Sequence, residues 1–181
     1  MGLRTVLRLG DPRLREPAQP VPEHLFSSTA LAELIDDLRE TMHAHQGAGL
    51  AAPQIGVPLR VVIAEVQRNP RYPQAEPFTE IVLINPKISP LGEERQAGWE
   101  GCLSVPGLRG RVERWQKIQL EWRDATGQAH REMVRGFKAR VLQHECDHLD
   151  GVLFPDRLDD QTAFGFIPEL EAAGLIPAVP S

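Results

Sequence analysis

The sequence predicts an α+β fold, with antiparallel strands packed around a central helix. Three observations carry that expectation. Two stretches, one from about Ser28 to His45 and one between Gly136 and Gly151, repeat apolar side chains at helical spacing. Between them lie β-branched or strictly alternating runs separated by turn residues. No internal repeat or interdomain linker interrupts residues 1–181, so the chain reads as one domain.

Residues 1–22 are rich in Pro and Arg and read as an extended segment laid over the surface. The first helix has N-caps available at Ser27, Ser28 and Thr29, an apolar face of Leu31, Leu34, Ile35, Leu38 and Met42, and Gly47 to end it. Glu33, Asp36, Asp37 and Glu40 are expected to face water, with His43 and His45 solvent-exposed at the frayed end. Gly47 to Gly56 (GAGLAAPQIG) follows, with small residues that let another backbone approach closely and one amide donor, Gln54. Arg60–Val66 and Ile81–Ile84 read as strands, Gln67–Glu80 between them as an exposed polar loop, and Pro86–Ala97 as a turn-rich connection. Arg111–Arg123, with its alternation Ile118-Gln119-Leu120-Glu121-Trp122, reads as a half-buried strand. It turns at Asp124-Ala125-Thr126-Gly127 and returns over Gln128–Val134, a hairpin leading into the second helix. The tail after Pro155 carries little pattern.

Composition narrows the function classes. With 41% apolar and 25% charged residues, the 181-residue chain can bury a full core. A net charge of −5 argues against binding nucleic acid through a broad basic footprint, and the arginines between Arg109 and Arg140 read as a solvated face. No apolar run approaches the roughly 20 residues of a membrane span. The start MGLRTVLRLGDPRLREP lacks the continuous apolar stretch of a signal peptide, and Val6 breaks a myristoylation pattern. A cytoplasmic location follows as the expectation, and the two cysteines, Cys102 and Cys146, are not expected to form a disulfide.

The chemistry concentrates in Gln143-His144-Glu145-Cys146-Asp147-His148-Leu149-Asp150-Gly151, which contains His-Glu-x-x-His. On a helix, residues four apart lie one above the other about 6 Å apart, so His144 and His148 can aim at one divalent metal ion. Glu145 can then reach a water held by that ion and act as general base. Phe137 and Val141 share the histidine face and would line the site, while Cys146, roughly 200° around from His144, points away. Leu142, Cys146 and Leu149 read as core. Cys102, in the turn Trp99-Glu100-Gly101-Cys102-Leu103-Ser104, is the leading third ligand. Ligands of these types suit Zn, Fe, Co or Ni. Two other readings stand beside this one: a zinc endopeptidase taking its third ligand from Glu169 or Glu171, and a non-catalytic metal or peptide-binding module.

Three stretches in this order, GAGLAAPQ (Gly47–Gln54), EGCLS (Glu100–Ser104) and QHECDHLDG (Gln143–Gly151), resemble the signature motifs of peptide deformylases, and VLRLGDPRLREPA (Val6–Ala18) resembles the start of that family. The resemblance covers about residues 5–158 and is closest to bacterial members. The segment Gly136–Val141 is nearer the organelle-type subgroup. It implies a peptide deformylase-like fold and a single catalytic domain that removes the formyl group from N-formyl-methionyl nascent peptides. By resemblance, Cys102, His144 and His148 bind one divalent metal, Fe(II) in the family, with Zn, Ni or Co found as prepared. Glu145 would be the acid/base, and Gln54 with the backbone N–H of Leu103 would form the oxyanion site. Substrate is expected to add as a strand between Gly47–Leu50, including Ala48 and Gly49, and the Gly101–Cys102 region. The ribosome is a further candidate partner, although the tail offers no long basic helix as a route to it.

Overall fold

A computed structural model describes residues 2–67 and 75–178. Two antiparallel sheets flank one helix. The larger has the order β1-β2-β3-β6-β7, built from β1 (Gly49–Ala51), β2 (Val61–Val66), β3 (Phe78–Pro90), β6 (Lys117–Arg123) and β7 (Ala129–Arg135). The smaller has the order β4-β5-β8, from β4 (Arg95–Cys102), β5 (Val105–Trp115) and β8 (Phe164–Phe166). Helix α2 (Gly136–Leu149) lies between them, α1 (Thr29–Ala44) covers the opposite face of the large sheet, and α3 (Ile167–Ala172) closes the tail. The expected antiparallel strands around a central helix are therefore present.

The two-sided burial of the large sheet explains its near-continuous apolar strand β2. Val61 and Ile63 face Leu31, Leu34, Ile35, Leu38 and Met42 of α1, whereas Val62 and Ala64 face Val141, Leu142 and Leu149 of α2. Helix α1 begins as expected, with the Ser28 hydroxyl accepting the Leu31 N–H. His43 and His45 are exposed as expected. Its end differs: Gln46, not Gly47, takes the left-handed conformation that stops it. Asp37 also departs from the expected wet face, because it is buried and accepts the Gly2 N–H. The leading segment is extended but anchored, with Leu14, Ala18 and Val21 buried.

Other boundaries moved. The connection expected over Pro86–Ala97 is mostly strand, since β3 runs to Pro90 and β4 starts at Arg95. Prolines concealed this: Asn85 adopts a left-handed φ of 52°, and the pairing with β6 shifts between Ile84 and Lys87, which gives Pro86 a place without a ladder donor. Of the loop expected over Gln67–Glu80, residues 68–74 lie outside the described residues and Phe78–Glu80 are already strand. The single strand expected over Arg111–Arg123 is two, broken at Gln116, with its halves in different sheets. The arginines expected on a solvated face are partly internal, Arg109 and Arg114 being buried.

The β6–β7 hairpin turns where expected. Asp124 accepts hydrogen bonds from Thr126 Oγ1 at 2.6 Å, Thr126 N at 2.9 Å and Gln128 N at 3.1 Å, and pairs with His130 Nε2 at 2.7 Å. The Thr126 and His130 contacts hold its carboxyl well below the usual 3.8. A carboxyl depressed in the folded state contributes stability that is present above its unfolded pKa and lost as pH falls below it. The melting temperature is therefore expected to fall more steeply with acid in the wild type than in Asp124→Ala. Equal slopes between about pH 5 and 2 would remove this turn from the acid response.

Candidate metal centre

Two glycines in left-handed conformations, Gly136 (φ 65°) and Gly151 (φ 71°), bracket α2 and turn the chain sharply into and out of it. Between them the helix presents His144 and His148 on the side facing β4 and β5, and β4 ends on Cys102. The ligand atoms of Cys102, His144 and His148 all lie within 4.8 Å of one another, and the three residues are buried. Cys102 Sγ is 3.3 Å from His148 Nε2. These three are the only such group found among the described residues. Glu169 on α3 is exposed, and neither it nor Glu171 joins the group, so the endopeptidase reading loses its third ligand.

The surroundings prepare each donor. His144 Nδ1 meets Glu100 Oε2 at 2.9 Å, which places the proton on Nδ1 and leaves Nε2 to face the triad. Burial opposes ionisation of Glu100, yet the His144 hydrogen bond and Arg114 outweigh it and hold the carboxyl well below the usual range. Burial also disfavours a charged His144, but its contacts with Cys102 and Glu100 prevail and raise its pKa. His148 is pushed the other way by burial, then by its repulsion from His144, and is held neutral. Its Nδ1 and Oε2 of Glu145 are the buried side-chain polar atoms without a hydrogen-bond partner among the described residues. Buried polar atoms are ordinarily paired, so an orphaned carboxylate oxygen beside a converging Cys/His/His set fits a centre that receives an ion and a polar reactant.

Glu145 points at the cleft between two sheet edges. Burial raises its pKa to about 7 against the pull of His144. Opposite it stands Gly49 on β1. A Cβ added there would lie 2.6 Å from Glu145 Cγ and 2.7 Å from its Cδ and Oε1. Gly49→Ala is accordingly expected to displace the carboxylate and lower turnover by about 10²-fold, the scale of a 1 Å misplacement, with the melting temperature little changed. A wild-type rate in that variant would show that Glu145 does not need this position.

Gln54 is oriented at both ends. Its Oε1 accepts the Ala51 N–H at 2.9 Å, and its Nε2 donates to Ser104 Oγ at 3.1 Å and approaches Cys102 Sγ at 3.5 Å. Along the cleft the structure brings together Gly47, Ala48, Gly49, Gln54, Gly101, Cys102, Leu103, Phe137, Val141, His144 and Glu145, all expected at the site. His148 sits beneath them, buried at 1% exposure. Cys146 faces away as expected, but it borders a separate surface hollow with Arg60 and Asp150 and is only partly core. Burial pushes its thiol pKa far up.

Sequence reasoning missed Trp99 and Glu100 and left open whether Arg140 lines the pocket or turns to solvent; all three line the same cleft, with buried pairs behind it. Arg114 grips Glu100 through Nε at 2.9 Å and Nη2 at 3.0 Å and also bonds Asp147, which Arg157 holds at 2.7 Å. Glu100 stands two residues before Cys102 and Asp147 one before His148, so adjacency to ligands was the available signal. Nothing in the spacing points to Arg114.

An α+β scaffold holding an open Cys/His/His group beside a buried carboxylate defines a metal-dependent hydrolase. Comparison with known proteins gives the family. A family model described as polypeptide deformylase matches residues 3–164. A peptide deformylase 1 of Prochlorococcus marinus is 52% identical over 182 residues, covering 100% of this chain and 94% of that protein. A peptide deformylase 2 of Pseudomonas syringae is 52% identical over 165 residues, covering 91% and 92%. The Met-Ala-Ser bound class I type b peptide deformylase of Acinetobacter baumannii superposes with a TM-score of 0.85 at 38% identity, over 87% of this chain and 99% of that one. The chain belongs to the peptide deformylase family, whose members remove N-formyl groups from nascent peptides.

Proposed function

We propose that residues 1–181 work as one catalytic domain in the cytoplasm, taking the formyl group from N-formyl-methionyl chains as they leave the ribosome. Cys102, His144 and His148 hold one divalent ion, and the soft sulfur donor with two imidazoles suits Fe(II), with Zn, Ni or Co able to replace it. When bound, the ion supplies a Lewis-acidic open position that favours water ionisation and stabilises negative charge. Glu145 takes the proton from the attacking water. Gln54 Nε2 and the Leu103 N–H receive the charge developing on the formyl oxygen. As the C–N bond breaks, Glu145 passes the proton to the departing amine, and formate and a free N-terminus result.

Strand topology supports how substrate is held. Among the described residues β1 pairs only with β2, and β4 only with β5, so each leaves one edge free to face the cleft. An extended peptide fits between Gly47, Ala48 and Gly49 on one side and Gly101 on the other, its methionine side chain toward Phe137 and Val141. The observation that carries the reading is the orphaned, buried Glu145 Oε2 beside the Cys102/His144/His148 group.

The test is formate release from a formyl-Met tripeptide by protein purified without oxygen, compared with formyl-Asp and unformylated peptides. Release from formyl-Met alone supports the assignment. Cleavage of unformylated peptides with no formate would return the endopeptidase reading. If the resident ion is Fe(II) on a sulfur ligand, activity is expected to fade in air and persist under nitrogen. Equal lifetimes with iron bound would refute that part.

A further inference from the structure

Arg140 lies on α2 one turn before His144, and its side chain is largely enclosed, at 12% exposure. Nη1 donates to Glu100 Oε1 at 2.8 Å and to the Val112 carbonyl at 2.9 Å, and it lies 3.5 Å from the Gly98 carbonyl. Nη2 donates to the Gln96 carbonyl. Gln96, Gly98 and Glu100 belong to β4, and Val112 to β5. One side chain of the histidine helix thus holds both strands of the hairpin that ends in Cys102. We propose that Arg140 is a positioning residue, clamping the Cys102 strand onto the His144/His148 helix and so setting how firmly the centre retains its ion. This rests on the ligand set given above.

Two features separate the clamp from general packing. Glu100 has four acceptor sites and four donors: Arg114 Nε and Arg140 Nη1 on Oε1, Arg114 Nη2 and His144 Nδ1 on Oε2. Arg114 alone grips the carboxylate at two points, so Arg140 is not needed to pair a buried charge. What it adds is a fixed distance between strand and helix. Second, Gly98 makes the room. A Cβ there would lie 2.9 Å from Arg140 Cζ, 3.0 Å from Nη2 and 3.1 Å from Nε. Because that neighbour is the far end of a flexible side chain, Gly98→Ala moves the guanidinium away and leaves the backbone in place. Groups that orient metal ligands from behind commonly change metal affinity by about 10–100-fold when lost.

The experiment uses cobalt(II)-loaded protein and follows the cobalt–sulfur absorption after excess chelator is added, with melting temperature recorded in parallel. Wild type must show the band and Cys102→Ala must lack it. If the wild type lacks it, or Cys102→Ala keeps it, the ligand set is wrong and the inference falls with it. Given that control, Arg140→Met and Gly98→Ala are each expected to lose cobalt about 10-fold faster, and the double variant no faster than Arg140→Met, because both remove one clamp. Arg140→Lys is expected to fall between, since a single ammonium cannot span four acceptors. A lower melting temperature with wild-type cobalt loss in both single variants would overturn the proposal and leave Arg140 a packing residue. If Arg140→Met does not fold, Gly98→Ala decides alone.

Discussion

Glu145→Ala is expected to release formate from a formyl-methionyl peptide about 10²–10⁴-fold more slowly than wild type while binding the same amount of metal, the range for loss of a general base. The two halves of that expectation have separate grounds. Rate should fall because Glu145 is a buried carboxylate facing the cleft, with a pKa raised to about 7 by burial and one oxygen without a hydrogen-bond partner among the described residues. A base poised near neutrality can both accept a proton from water and return it to the amine. Metal should stay because the proposed ligands are Cys102, His144 and His148, the one such group among the described residues, and His144 is oriented by Glu100, not by Glu145. Glu145→Gln, which keeps the shape that meets Gly49, should be nearly as slow. Near-normal turnover in either variant would mean that another group moves the proton.

Glu100→Gln is expected to lower stability by about 3–5 kcal/mol, the cost of breaking a buried ion pair from one side. In a chain of this size that corresponds to roughly 10 °C in melting temperature. Glu100 is 3% exposed and Arg114 5%, so neither is relieved by water. A glutamine offers one accepting oxygen where two received four donors, and its NH2 must face Arg114, Arg140 or the His144 Nδ1–H as a donor against donors. The His144 ring then loses the contact that fixes its proton, and metal content should fall together with stability. Denaturation of the metal-free protein separates the two effects. A metal-free Glu100→Gln as stable as metal-free wild type would show that the network serves only the ion.

The local chemistry of this site was legible in the residues. Four-residue spacing on a helix placed His144 and His148 on one face, with Glu145 beside them, and a cysteine between glycine and an apolar–polar alternation marked Cys102. The hairpin turn at Asp124–Gly127 and the cap at Ser28 were equally local. Glu100, Arg114 and Arg140 were not, because the value of a buried charge depends on partners 14 to 44 residues away. A run of arginines reads as a wet face until packing shows which of them are enclosed.

Strand boundaries divided in the same way. The alternation in β6 is visible because one periodicity covers it, whereas β3 carries Pro86 and Pro90, which locally signal a turn. Only its pairing with β2 and β6, through an irregularity at Asn85, keeps that segment extended. By itself the sequence determined which donors exist, their spacing along the helix, and the family motifs in their order. Tertiary structure decided that two separate sheets bring Cys102 to the histidines, that Gly49 leaves space for Glu145, and that a buried charge network holds both halves together. Ligand spacing on one helix follows from backbone geometry alone, but convergence of distant segments follows from burying apolar faces and pairing enclosed charges, and no single stretch contains both partners.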